Sequence, residues 1–366
     1  MGIALAGLAT LAVAMGIGRF AFTPLLPMMQ ADAGLTLAQG GWLASANYAG
    51  YLVGALSASR APLGIRGGLL AIAATTGAMA LYPQFGFWIS MRMLAGIASA
   101  WVLVQVSAWS LARLAELRRP ALAGVVYAGV GSGIAVAGLL CLVLMSLNVG
   151  SNRAWIALGA VSLVATFLVW PVFSSAGIAR SGFQKGAWDR RWWPLVTAYG
   201  AYGFGYIVPA TFLPAMAREL IDDPVIFGWA WPVFGLAATA STLALARFKV
   251  SDRGLWIAAQ FSMAFGVAAP VAIAGLPGIL LSALFVGGTF VVITMAGMRE
   301  ALAIAGAQAT RLMAALTAAF AAGQVAGPVF VSLLVQAGWS FSRGLLIASL
   351  VLAASTCLLF RSRRET

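Results

Sequence analysis

The sequence predicts an all-α membrane protein of twelve transmembrane helices, arranged as two parallel six-helix repeats. Three observations predict it. The chain is too apolar for water, its basic residues fall on alternate loops, and its halves resemble each other at a fixed offset.

Of 366 residues, 62% are hydrophobic and 8% are charged, where a soluble domain carries about 25% charged residues. Such a chain has too little polar surface to cover itself in water, so its solvent is a lipid bilayer. A span needs about 20 apolar residues. Twelve spans with short loops account for the length and leave no sizeable soluble domain.

The apolar runs place spans at 3–29, 39–58, 68–82, 86–112, 121–146 and 154–173, then at 193–217, 226–246, 254–275, 278–298, 311–336 and 343–360. The first run has no basic leader and continues past Arg19 into Phe20–Met29. It reads as an uncleaved span and not as a signal peptide. The longest polar break, Ser174–Arg191, divides the chain. The expected organisation is an N-terminal half at 1–173, a central loop at 174–192 and a C-terminal half at 193–366.

The net charge of +13 invites a nucleic-acid reading. The charges sit in short clusters between apolar runs and form no aromatic-interleaved basic face, so no nucleic-acid partner is expected. With both termini cytoplasmic, 17 basic residues fall inside and 3 outside (Arg153, Arg218 and Arg343), while Arg19 and Arg92 remain within spans. The inside set includes Arg60, Arg66, Arg113, Arg118, Arg119, Arg180, Lys185, Arg247, Lys249, Arg253 and Arg299. This bias follows the positive-inside rule and requires an even number of spans.

An offset of 187 residues aligns Gly16 with Gly203, Gly18 with Gly205, Pro27 with Pro214 and Gly41-Trp42 with Gly228-Trp229. It also aligns Arg60 with Arg247 and Arg66-Gly67 with Arg253-Gly254. Over Thr10–Gly67 there are 13 identities in 58 positions, most of them Gly, Pro, Trp or Arg. Six spans restore the starting orientation, so the repeats are parallel, as in the major facilitator superfamily.

Specific residues carry a closer likeness. The segment Gly16-Ile17-Gly18-Arg19-Phe20-Ala21-Phe22-Thr23-Pro24-Leu25-Leu26-Pro27-Met28-Met29 resembles the first span of the YbfB/YjiJ-type branch of that superfamily. Leu43-Ala44-Ser45-Ala46-Asn47-Tyr48 with Gly50-Tyr51 resembles its second span. Gly203-Phe204-Gly205-Tyr206 and Thr211-Phe212-Leu213-Pro214 resemble its seventh. The resemblance implies a multi-pass transporter of a bacterial inner membrane. The loop after span 2 keeps Arg60 and Arg66 of the superfamily pattern but lacks its acid; Asp252-Arg253 after span 8 keeps an Asp-Arg pair. Span 5 is rich in glycine (Gly124, Gly129, Gly131, Gly133, Gly138) yet lacks the antiporter Gly-Pro, which weighs against a proton-coupled drug antiporter.

Arg19 is the most informative residue. It lies about 15 Å of helix from Met29, and a lipid-facing guanidinium at that depth costs a few kcal/mol, so it should face protein or a water-filled cavity. The functional reading is an electropositive contact for an anionic substrate. The structural alternatives are an arginine bonded to helix carbonyls or one snorkelling to the surface. Pro24 and Pro27 loosen helix hydrogen bonding beside it. Arg92 divides evenly between cavity and packing.

Tyr199, Tyr202 and Tyr206 share a face of span 7 at i, i+3, i+7, and Asn47 and Tyr51 share a face of span 2. Either set can line a cavity or fill a helix seam. Thr317 and Gln324, seven apart on span 11, and Thr23 on span 1 complete the candidate substrate-binding set. Trp101, Gln105 and Trp109 read as packing on span 4. Arg60, Arg66, Asp252 and Arg253 are candidate gating residues at the inner ends. Gly41, Gly50, Gly54 and the span-5 glycines should let helices approach closely.

All nine acids fall in loops or near span ends on this map, and histidine is absent. No carboxylate or imidazole is therefore expected mid-membrane as a proton relay. Cys141 and Cys357 lie in apolar runs and read as small hydrophobes. No phosphate loop, metal cluster or nucleophile–base set appears, so no metal, cofactor or enzymatic activity is expected. The function read from these features is alternating-access transport of a small, anionic or polar organic molecule by a monomer, with proton coupling open. Efflux of amphipathic compounds is the alternative within that class; a membrane sensor or enzyme is the alternative outside it.

Overall fold

A computed structural model describes residues 1–173, 188–218, 229–245 and 250–361. Arg180, Lys185, Glu219, Asp222, Asp223, Gly228, Arg247, Lys249, Arg363, Arg364 and Glu365 lie outside the described residues. The described chain is helical throughout and carries no strand. Span 1 comprises Gly2–Leu11, a π-helical turn Ala12–Ile17 and Phe22–Asp32. Spans 2 to 6 are Leu37–Ser57, Ile65–Ala78, Phe85–Glu116, Ala123–Ser146 and Ser151–Val169. Spans 7 to 12 are Trp193–Arg218, Ala230–Leu245, Asp252–Ala272, Leu276–Ala305, Ala309–Gln336 and Phe341–Arg361. Seven helical stretches among the described residues are long and apolar enough to cross a membrane, and one of these, Pro277–Val331, runs through both spans 10 and 11.

Helix starts follow local chemistry. Thr36 and Gln39 form a capping box at span 2, with Gln39 N donating to Thr36 Oγ1 at 3.2 Å and Thr36 N donating to Gln39 Oε1 at 2.9 Å. Asp32, from the end of span 1, caps span 6 by accepting from Ser151 N and, at 2.7 Å, from Ser151 Oγ. Ser251 Oγ accepts from Gly254 N at 3.1 Å to start span 9.

Two expected boundaries change. Span 1 is broken and not continuous. Gly18 N and Phe20 N bond to Val13 O and Met15 O, five residues back, and a turn follows before the helix resumes at Phe22. Pro24 and Pro27 have no N–H to donate to the carbonyls four residues earlier, so the ladder is weak just after the turn. Span 10 runs to Ala305, past the expected 298, which places Glu300 inside the helix. Polar residues do not stop a helix; the stop comes at Gly306, whose φ of +48° suits a residue without Cβ.

The contact pattern repeats. Span 1 packs on span 5, 2 on 4, 3 on 4 and 6. Six positions later, span 7 packs on span 11, 8 on 10, 9 on 10 and 12. Between the two sets, span 2 meets span 11 and span 5 meets span 8, a pairing that the exchange of repeats maps onto itself. This is the two-fold plan of two parallel repeats.

Span 5 is the hub of that plan. Gly129 and Gly133 face span 1, where an added Cβ would collide with the Leu8 and Ala12 backbone. Two residues on, about 200° around the helix, Gly131 faces span 8. A Cβ there would lie 2.6 Å from Gly235 O and from Thr239 Oγ1. Gly50 and Gly54 bring span 2 onto span 4 in the same way, whereas Gly41 faces open space and packs against nothing. Leu56, Leu168, Phe261, Leu284 and Leu350 are among the exposed apolar side chains that form the lipid-facing surface.

Candidate functional site

At the middle of the bundle, between the two repeats, lies a cavity of about 20 Å³, enough for about one water molecule. Its walls come mainly from rings: Phe20, Tyr51, Tyr199, Tyr202, Phe290 and Phe320, with Thr294 and Thr317 as hydroxyls. Arg19 stands beside it. The break in span 1 turns this side chain inward, and it is 2% exposed. Its Cζ lies 3.8 Å from the Tyr51 ring centroid and 5.4 Å from that of Phe320, which are cation–π distances. Arg19 Nη2 donates to Gln324 Oε1 across the two repeats. Its Nε and Nη1, and the Nε2 of Gln324, are buried without a hydrogen-bond partner among the described residues.

Arg92 and Asn47 have a different placement. Arg92 Nη1 donates to Gly18 O at 3.2 Å and Nη2 to Arg19 O at 3.0 Å. Asn47 Nδ2 donates to Arg92 O at 2.9 Å and to Gly18 O at 3.4 Å. Both side chains serve the carbonyls at the break, satisfying groups that a buried backbone cannot leave unpaired. They hold the peptide that carries Arg19 and do not line the cavity. Thr23 is half-buried just beyond the break and is also absent from the lining.

The three tyrosines of span 7 are fully buried on one face. Tyr199 and Tyr202 line the cavity, and Tyr202 Oη donates to Phe290 O at 2.7 Å. Tyr206 instead stacks on Phe290 at 5.3 Å and on Phe320 at 6.1 Å, behind the lining. On span 11, Thr317 lines the cavity and Gln324 reaches Arg19. Trp101 bonds Ser57 Oγ at 2.9 Å and Gln105 bonds Leu63 O at 2.9 Å, so both are packing residues.

Phe320 was not among the expected site residues. Its signal was available: it sits at i+3 from Thr317 and i−4 from Gln324, on their face of the helix. Phe290 and Thr294, also unexpected, had no comparable signal in a span that is apolar almost throughout.

Three of the four candidate gating residues, Arg66, Asp252 and Arg253, tie helices within a repeat. Arg66 donates to Trp170 O through Nη2 at 2.6 Å and Nε at 3.1 Å, and its Cζ lies 4.6 Å from the Trp170 ring centroid. Arg253 pairs with Glu300 at 2.6 Å and Arg299 with Asp252 at 2.9 Å, joining the start of span 9 to the end of span 10. Arg60 is exposed at the end of a short 3₁₀ turn, Ala58–Arg60, that touches span 11.

Residues 11–360 match the family described as the uncharacterised MFS-type transporter YbfB. No curated protein matches the sequence. Among solved structures, the human organic anion transporter MFSD10 (TETRAN) is similar in fold, with a TM-score of 0.72 and 16% identity over 98% of this chain and 99% of that one.

Proposed function

The chain belongs to the YbfB family of MFS-type membrane transporters, and from that premise we propose that it moves a small organic anion across a bacterial inner membrane. Transport proceeds by alternating access around Arg19, with both termini cytoplasmic and the chain acting as a monomer. The observation that carries this reading is the Arg19 guanidinium. It is buried between the repeats, and among the described residues two of its nitrogens have no hydrogen-bond partner and no acid pairs with it. A buried cation without a counter-ion is costly. A substrate that brings the missing negative charge recovers that cost, and the recovered free energy is available for binding. The similarly folded human protein is described as an organic anion transporter, which agrees with the charge argument without carrying it.

The two repeats touch on both sides of the site. Spans 5 and 8 meet through glycine faces, and spans 2 and 11 meet along the other side. Entry then requires the repeats to rock apart at one end while the contacts at the other end persist. The ties at Arg66, Arg253 and Asp252 act as braces in this mechanism. They keep each repeat rigid, so that the motion concentrates at the seam between them. The expected transport mode is facilitated diffusion or anion exchange.

A thermal-shift screen of the purified protein tests the reading. A ligand that binds the native state raises its apparent stability. Stabilisation by organic anions, lost in Arg19→Ala, supports it. Stabilisation by amphipathic cations alone, unaffected by Arg19→Ala, sinks it in favour of drug-like efflux.

A further inference from the structure

We propose that the Gln324 carboxamide is a built-in surrogate for the substrate's carboxylate, and that the substrate is an aromatic monocarboxylate that takes its place on Arg19. The inference rests on the anion-transport reading above and names the ligand class and the internal competitor at the same site.

The hydrogen bonding at Arg19 is half complete. Gln324 Oε1 accepts from Nη2, while among the described residues Arg19 Nε and Nη1 have no acceptor and Gln324 Nε2 has none either. A guanidinium presents two forked edges to a planar oxygen pair, Nε with Nη2 and Nη1 with Nη2. Each edge uses a different Nη2 hydrogen, so the amide on Nη2 occupies one of the two edges, and a carboxylate seated bidentate on that edge takes its place. The exchange improves the bonding of the guanidinium. A carboxylate accepts at both oxygens, has no N–H to leave orphaned, and makes a charge-assisted bond about twice as strong as a neutral one.

The site accommodates one charge. The other buried guanidinium nearby, Arg92, is committed to the carbonyls of Gly18 and Arg19. A second carboxylate on the same ligand would meet rings and hydroxyls with no cation to balance it. The walls then select the body. Tyr51, Tyr199, Tyr202, Phe290 and Phe320 offer ring faces and edges around the cavity, and a flat aromatic ligand stacks on such surfaces better than a bulky aliphatic one. The volume of about 20 Å³ admits neither until the side chains part. Gln324 reaches Arg19 from the opposite repeat, so displacing it also releases a bond that holds the repeats together.

The test uses the full chain in nanodiscs, titrated with benzoate, cyclohexanecarboxylate and benzylamine and followed by calorimetry. Wild type is expected to prefer benzoate. Gln324→Leu removes the competitor and should tighten benzoate by about tenfold, the scale of one hydrogen bond to a charged group. Gln324→Glu supplies a resident carboxylate; it should raise the unfolding temperature and abolish benzoate binding. Unchanged or weaker benzoate binding by a well-folded Gln324→Leu overturns the surrogate role, as does Gln324→Glu that binds benzoate like wild type. If Gln324→Leu fails to fold, the glutamate variant decides alone. Equal affinity for benzoate and cyclohexanecarboxylate overturns the aromatic assignment. If neither wild type nor Gln324→Leu binds any carboxylate, the anion-transport reading itself fails.

Discussion

Spans 1 and 7 occupy equivalent places in the two repeats and share Gly16-x-Gly18 and Gly203-x-Gly205, yet they fold differently. Span 7 is a continuous helix from Trp193 to Arg218. Span 1 bulges into a π-turn and breaks before Phe22. The 187-residue offset puts Tyr206 opposite Arg19 and Phe234 opposite Asn47. Span 10, the counterpart of span 4, has Arg299 near its basic end and no arginine at the depth of Arg92. The broken helix therefore occurs in the repeat that carries the donors to satisfy it. The other repeat has Phe234 and Ile279 at the places of the two donors and keeps span 7 a continuous helix. What the difference teaches is a division of labour. One repeat supplies a charge on an opened backbone and two of the cavity's rings, Phe20 and Tyr51; the other supplies the remaining rings and the amide that meets the charge.

The comparison breaks most directly at Arg19. Arg19→Ala should reduce uptake of any anion found in the screen to background, measured in proteoliposomes, while expression and monodispersity remain normal. The mutation relieves a buried charge and leaves Gln324 Oε1 without its donor, so folding is checked by unfolding temperature; a normally folded, fully active mutant would remove Arg19 from the mechanism.

Arg92→Leu attacks the break itself. It leaves Arg19 O without its side-chain donor, at about 1–3 kcal/mol for an unpaired buried group, and leaves Gly18 O with Asn47 as its side-chain donor. A marked fall in unfolding temperature is expected, with ligand affinity falling as Arg19 loses its position. An unfolding temperature equal to wild type would show that the break holds without Arg92.

Gly131→Leu wedges the seam between spans 5 and 8, where a Cβ lands 2.6 Å from Gly235 O. Overpacking of this kind costs about 1–3 kcal/mol, here only in states where the seam is closed. A Ser132→Cys/Thr239→Cys pair, whose native hydroxyl oxygens lie 3.4 Å apart, reports the seam by disulfide formation. Crosslinking should drop several-fold when Gly131→Leu is added, and unchanged crosslinking would count against a seam closed by glycine.

The smallest effect is expected at the ends of the bundle. Asp252→Asn breaks a pair with Arg299 that is about one-fifth exposed on both sides, which is worth about 1 kcal/mol or less. A shift of a few degrees or less in unfolding temperature, with transport retained, fits a brace. Complete loss of transport would instead make this pair a gate between the repeats.

Much of this was legible in the residues. Composition required lipid as the solvent, because apolar surface on this scale cannot be hydrated. Parallel repeats followed from matched Gly, Pro, Trp and Arg at one offset, and Arg19 stood out because charge at that depth needs a protein environment. The polarity of Arg299-Glu300 misled on the end of span 10, since a helix stops where its backbone turns at Gly306 and not where its side chains become polar.

Tertiary structure decided what each polar residue does. Arg19 and Arg92 look alike in sequence, each an arginine within an apolar run. One meets an amide from the opposite repeat and the other meets carbonyls of the broken span. That choice depends on which helices adjoin and on which backbone groups have lost their partners. Neither quantity is local to the residue, because a buried charge is defined by the atoms that packing brings to it. The sequence alone determined a membrane transporter of two parallel repeats with buried arginines. The assembly of helices determined that, among the described residues, Arg19 keeps two nitrogens without a hydrogen-bond partner where Arg92 keeps one.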